Sequence, residues 1–140
     1  MYENYEVDTK SLERGLMKLK LLVMGFKAIF TSPSSANEVD REWDGANILE
    51  NNQRAERQSD QAKVKTCMAS IIGMRKVTPH AIAYTACQIQ FTLSCITSWH
   101  TVNGDFDYQL FWNNIVDVFE DAPGPAVQVR LNRLLEWWTR

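Results

Sequence analysis

The sequence predicts an all-α fold, a helical bundle of about five helices around a buried central helix at residues 77–99. Three observations carry that expectation. Between Lys76 and Asp105 there is no Asp, Glu, Lys or Arg, and ionised side chains avoid buried positions, so an uncharged run of this length belongs inside the protein. Elsewhere, apolar residues recur at alternating steps of four and three, which is one face of a helix. No segment alternates convincingly with a period of two, the signature of a half-buried strand.

The first helix is expected over Ser11–Phe30, capped by Thr9 or Ser11. Leu12, Leu16, Leu19, Val23, Phe26 and Phe30 form a seam of coiled-coil type, shorter than a self-sufficient coiled coil needs. Gly15 and Gly25 each weaken it by about 1 kcal/mol relative to alanine. Pro33 and its serine neighbours end it, because proline cannot extend the ladder and serine favours turns. Residues 34–60 hold ten charges and little apolar content beyond Val39, Trp43, Ile48 and Leu49. Such a composition buries too little surface to offset its ordering entropy, so this stretch is read as a long polar loop, a flexible insertion or a segment that orders on binding.

A further helix follows over Gln61–Met74, capped by Ser59 or Asp60, with Val64, Cys67, Met68, Ile71 and Ile72 on its apolar face and Gly73 near its end. In the central helix Thr78 is the expected N-cap and Pro79 suits the first helical position, where its missing N–H costs nothing. Ile82, Ala86, Ile89, Leu93 and Ile96 make one stripe, and Tyr84, Cys87, Phe91 and Cys95 a second, so neighbours are expected on more than one side. Asn103-Gly104 signals a turn. Asp105 or Asp107 caps the next helix, striped by Tyr108, Phe111, Trp112, Ile115 and Phe119. Pro125 opens the last, with Val127, Leu131, Leu134 and Trp138 in register.

Length, composition and charge bound the function. At 140 residues the chain is the size of a single helical domain, 1–140. Its formal net charge of −2 favours no partner class, but the charge is unevenly placed. Residues 10–33 carry an excess of four positive charges, and residues 61–76 carry four Lys/Arg and no acid. The three cysteines, Cys67, Cys87 and Cys95, are odd in number, lack CxxC spacing and sit in apolar contexts. That usage favours a reducing compartment, the cytoplasm or nucleus. The acidic N-terminus is no secretory signal. Residues 12–30 are too charged to cross a bilayer, and 81–99, with its glutamines and hydroxyls, is only moderately apolar, so no membrane span is expected.

The order of several blocks resembles a family of uncharacterised fungal, mainly basidiomycete, proteins: FTSPSSA at residues 30–36, VTPHAIAYTACQIQFTLS at 77–94, DFDYQLFWNNIVDVFED at 105–121 and LLEWW at 134–138. The likeness runs from about Gly25 to the C-terminus, with 37–62 matching a region of variable length. It implies an intracellular fungal protein of unknown function and brings no catalytic residues. In the family the Trp pair is usually followed by a few residues ending in an apolar pair, and the N-terminal region tends to be longer. The resemblance therefore implies a shortened member.

No catalytic, cofactor-binding or metal-binding constellation emerges from the residues themselves. His80 and His100 are the only histidines, and twenty residues of helix would hold them about 30 Å apart. Cys87 and Cys95 would lie about 12 Å apart along one face, too far for one metal or a disulfide. Cys95 with His100 is the one conceivable local nucleophile–base pair, and a core role for that cysteine explains it more simply. The acidic residues Asp105, Asp107, Asp117, Glu120 and Asp121 lack the spacing of a calcium loop, and capping and solvation account for them. No phosphate-binding glycine loop or hydrolase motif is present.

Two features suit a partner. Trp137 and Trp138 point about 100° apart on a helix, so one ring can enter the core while the other anchors a contact at its edge. The basic set Lys18, Lys20, Lys63, Lys65, Arg75 and Lys76, with Lys27, lies on the expected helices 10–27 and 61–76 and would form a phosphate-binding patch if both exposed it on one side. The expected function is a non-enzymatic protein–protein interaction module, through a protein partner or self-association. The alternative is a nucleic-acid-associated protein using the two basic helices. No cofactor is expected.

Overall fold

The computed structural model describes residues 17–33, 36 and 67–140. These residues are mostly helical, with one small two-stranded sheet, and the fold is all-α as expected. The elements are α1 (Lys20–Phe26), running directly into a π-helical stretch (Lys27–Thr31), α2 (Met68–Ile71), α3 (Pro79–Leu93), β1 (Val102–Asn103), β2 (Phe106–Asp107), α4 (Tyr108–Glu120) and α5 (Pro125–Thr139). The expected polar loop at 34–60, the seam positions Leu12 and Leu16, and Lys63 and Lys65 lie outside the described residues, Ala36 apart.

The first helix is not continuous through Met17. Met17 takes φ 57°, in the left-handed region, and α1 begins only at Lys20, behind Leu19. A non-glycine residue pays roughly 1–2 kcal/mol there. The reason lies in packing: Met17 and Leu19 are both buried, yet two residues apart on a helix they would face nearly opposite ways. Breaking the helix lets both enter the core, and burying a methionine side chain is worth about 1.5–3 kcal/mol, enough to offset the strain. Downstream the seam holds, with Val23, Phe26 and Phe30 buried and the two phenylalanine rings 4.5 Å apart.

Within the core α3 is the common neighbour, packed against α1 on one side and α4 on another. Thr78 caps it, its Oγ1 accepting the Ala81 N–H at 3.2 Å, and Pro79 is its first residue. Ala81, Ile82, Ala83, Thr85, Ala86 and Cys87 are all buried, so most of the first half of the helix is enclosed, and His80 and Tyr84 mark its one exposed face. Small residues allow that enclosure. A Cβ on Gly25 of α1 would come within 2.7 Å of Ile89 Cδ1 and 3.3 Å of Thr85 Cγ2. Gly25 is thus a close-approach residue as well as a weak helix former. We expect Gly25→Ala to be nearly neutral, because the half-buried Ile89 tip can yield while helix propensity gains about 1 kcal/mol. Gly25→Leu should cost about 1–3 kcal/mol by overpacking. Urea melts of the two variants would separate these outcomes, and equal stability would refute the tight crossing.

The second half of α3 differs from expectation. The helix stops at Leu93 instead of continuing to 99, and burial fades along it: Leu93, Cys95 and Ile96 are exposed. Hydroxyl side chains supply the reason. Thr92 Oγ1 donates to Gln88 O at 2.7 Å and Ser94 Oγ to Phe91 O at 2.6 Å, local bonds that compete with continuation of the ladder. After Leu93 the chain reaches a short hairpin in which Val102 pairs with Asp107 and Asn103 with Phe106. Gly104, at φ 60°, opens the two-residue turn, as a tight hairpin needs. The turn is therefore Gly104-Asp105, with Asn103 kept in the strand.

Asp107, of the two candidates, caps α4: its Oδ1 accepts the Leu110 N–H at 3.0 Å. Tyr108, Ile115 and Phe119 of the expected stripe are buried, with Phe111 and Trp112 half-buried beside them. In α5, Leu131 and Trp138 are buried, and Thr139 Oγ1 accepts the Val77 N–H at 3.1 Å, tying the end of α5 to the entry of α3. The α2 helix is only one turn long and ends in a Schellman motif. Gly73, at φ 65°, donates to Ser70 O and Met74 to Ala69 O. Its expected apolar face is turned outward: Met68, Ile71 and Ile72 are exposed, and Ala69 is the buried residue.

Candidate functional site

The Trp pair divides as helix geometry requires. Trp138 is fully buried against Phe26, with ring centroids 5.3 Å apart, so it has no surface to offer a partner. Trp137 sits at the edge, half-buried, with Lys18 Nζ 4.8 Å above its ring. That contact draws Lys18 into a cation–π pair. Lys27 is buried, with 6% of its surface exposed, and so leaves the basic set. Lys20, Arg75 and Lys76 remain exposed.

The candidate reactive groups are distributed along and beyond α3. His80 opens α3 and lies 3.9 Å from the Glu120 carboxylate at the end of α4, both well exposed. His100 lies beyond the far end of α3, with Nε2 3.1 Å from Ser98 Oγ. Cys95 is exposed and Cys87 is buried, its Sγ 4.0 Å from Tyr108 O. Burial pushes the Cys87 thiol above its ordinary value. A limiting amount of a maleimide at neutral pH should therefore label Cys95 well before Cys87, since only the accessible thiolate reacts. Peptide mapping of the labelled native protein checks this. Among the described residues no group of three or more His, Cys, Asp or Glu could hold a metal ion.

A cleft of about 710 Å³ lies between the N-terminal end of α3 and the last turns of α5. Lys76, Asn132, Glu136 and Arg140 line it beside Val77 and Leu135, with no cysteine or histidine in its wall. It offers a mixed-charge, partly apolar surface with the hydroxyl residues Thr78 and Thr139 in its wall.

A different surface was missed in the sequence. At the C-terminal end of α3 the side chains of Leu93, Ile96, Trp99, Val102 and Leu110 are between 36% and 67% exposed. They flank, in sequence, a chain of touching rings of which Trp99 is itself a member. Phe91 meets Trp99 at 5.3 Å, Trp99 meets Tyr108 at 4.5 Å, Tyr108 meets Phe106 at 4.7 Å, and Phe106 meets Phe111 at 5.2 Å. The ring cluster fixes the irregular Ser94–Thr101 segment against α4. The formal charges in the same stretch of sequence have one sign. From Val77 to Val129 the chain has five carboxylates and no Lys or Arg, and Asp105 and Asp107 lie in the hairpin beside the patch. The uncharged run signalled this surface, but it was read as interior along its whole length.

No helix among the described residues is long and apolar enough to cross a membrane. No curated protein and no solved structure matches the chain. The model of the family of unknown function DUF6698 matches residues 1–140, and the chain belongs to that family.

Proposed function

We propose that this chain is a non-enzymatic interaction module whose contact surface is the apolar patch at the C-terminal end of α3. The observation that carries the reading is the patch itself. Leu93, Ile96, Trp99, Val102 and Leu110 are exposed together along a chain of packed aromatic rings, with only carboxylates among the nearby charges in sequence. Side chains exposed to this degree amount to on the order of 500 Å² of apolar surface, the upper end of what a monomer shows. Aromatic residues at the centre of such a patch are the usual anchors of contact. The edge Trp137, covered by Lys18, and the enclosed Trp138 are less suited to that role.

Site-specific photocrosslinking tests the reading. A photoreactive residue placed at Leu93 or Leu110 should give a discrete adduct in an extract of the source cells, either with another protein or with the chain itself. The same residue at Asn132, on α5, should not. Adducts equally abundant at all three positions, or at none, would overturn the assignment.

A further inference from the structure

Resting on that reading, we propose that the partner is a second copy of this chain, docked head to tail. The acidic-rimmed patch at the end of α3 receives the basic-rimmed apolar face of α2. The α2 face consists of Met68, Ile71 and Ile72, 47% to 64% exposed, and is followed at once by the exposed Arg75 and Lys76.

Complementarity selects this pairing. Two copies of the α3 patch brought together would set Asp105 and Asp107 against their own copies, and two α2 faces would oppose Arg75 and Lys76 in the same way. Like charges juxtaposed across an interface are costly. Only the mixed pairing places apolar against apolar and acid against base. The contact must also be made between molecules. The α2 helix leads through Thr78 into the start of α3, whereas the receiving patch begins at Leu93, about 22 Å further on at 1.5 Å per residue. The apolar area of the receiving patch falls below the roughly 800 Å² per partner of a standard interface, which suits association that is weak and grows with concentration. Because the two faces differ, each bound pair leaves one face of each kind free, so assembly proceeds to a ring or an open chain.

The test uses the whole chain and two variants at well-exposed sites, Leu93→Asp and Ile71→Asp, each checked for native helix content by circular dichroism. Sedimentation of the wild type should show association that grows with concentration and weakens with salt, since exposed rim charges are screened within about 10 Å at 0.1 M. Each variant alone should lose association at least about tenfold. Mixed one to one, they should form a heterodimer and nothing larger, because each retains the face that the other lacks. If Ile71→Asp associates as the wild type does, or the mixture stays monomeric, the head-to-tail pairing is wrong. A wild type that is monomeric at every concentration also overturns it. The broader interaction reading then stands or falls separately, on whether the Leu93 crosslinker captures a different protein.

Discussion

Replacing Trp138 by alanine should destabilise the fold by about 3–5 kcal/mol, the range for emptying a large aromatic site in a core. Trp138 is wholly enclosed and is the largest of the fully buried side chains. Its ring meets Phe26 at 5.3 Å and Trp137 at 5.7 Å, so its loss opens the junction between α1 and α5. Neither helix of that pair has another ring contact with its partner among the described residues. Its indole Nε1 has no hydrogen-bond partner among the described residues. Trp138→Phe therefore removes volume without breaking a hydrogen bond, and should cost clearly less than the alanine change. Trp137→Ala, at the half-buried edge, should also cost less. Urea unfolding followed by far-UV circular dichroism gives the three values. A Trp138→Ala loss no larger than that of Trp137→Ala would show that α5 is not held by this ring.

The second large effect contrasts two sites on one helix. Ile82→Ala should cost about 2–5 kcal/mol, because Ile82 is completely buried among the enclosed residues of the first half of α3. Leu93→Ala, with 67% of the leucine exposed, should change monomer stability by no more than about 0.5 kcal/mol. Both substitutions delete a branched aliphatic side chain from α3, so helix propensity cannot account for the difference. Melts at low protein concentration isolate the folding term from self-association. Similar losses at the two positions would mean that α3 is buried along its whole length, as its lack of charge suggested.

That contrast shows where the sequence was legible and where it was not. The start of α3 could be read locally, since Thr78 and Pro79 supply a cap and a first turn whatever surrounds them. The same holds for Pro125 opening α5 and for an aspartate capping α4. The stripe of α4 and the seam of α1 after Lys20 follow from periodicity, because each helix turns one apolar stripe to the core. The far end of α3 could not be read in this way. Absence of charge is common to a core and to an apolar contact surface, and periodicity does not distinguish them. The break at Met17 was hidden because left-handed methionine is justified only by what it buries. The exposed face of α2 is hidden for a related reason: an apolar stripe marks a contact face as readily as a core face, and periodicity does not say which. The hairpin is two residues per strand, too short for alternation to appear. For the candidate site, the residues that sequence singled out were the conspicuous ones, a Trp pair and runs of Lys and Arg. Packing enclosed Trp138, covered Trp137 with Lys18 and buried Lys27.

The long interval without a cation also shapes how the molecule meets charged media. Net charge is only −2, but five carboxylates between Val77 and Val129 go unaccompanied by any lysine or arginine in that interval. A quaternary-amine resin binds the most anionic side it can reach, not the average. The protein should elute later from such a column than its isoelectric point of about 5.7 suggests.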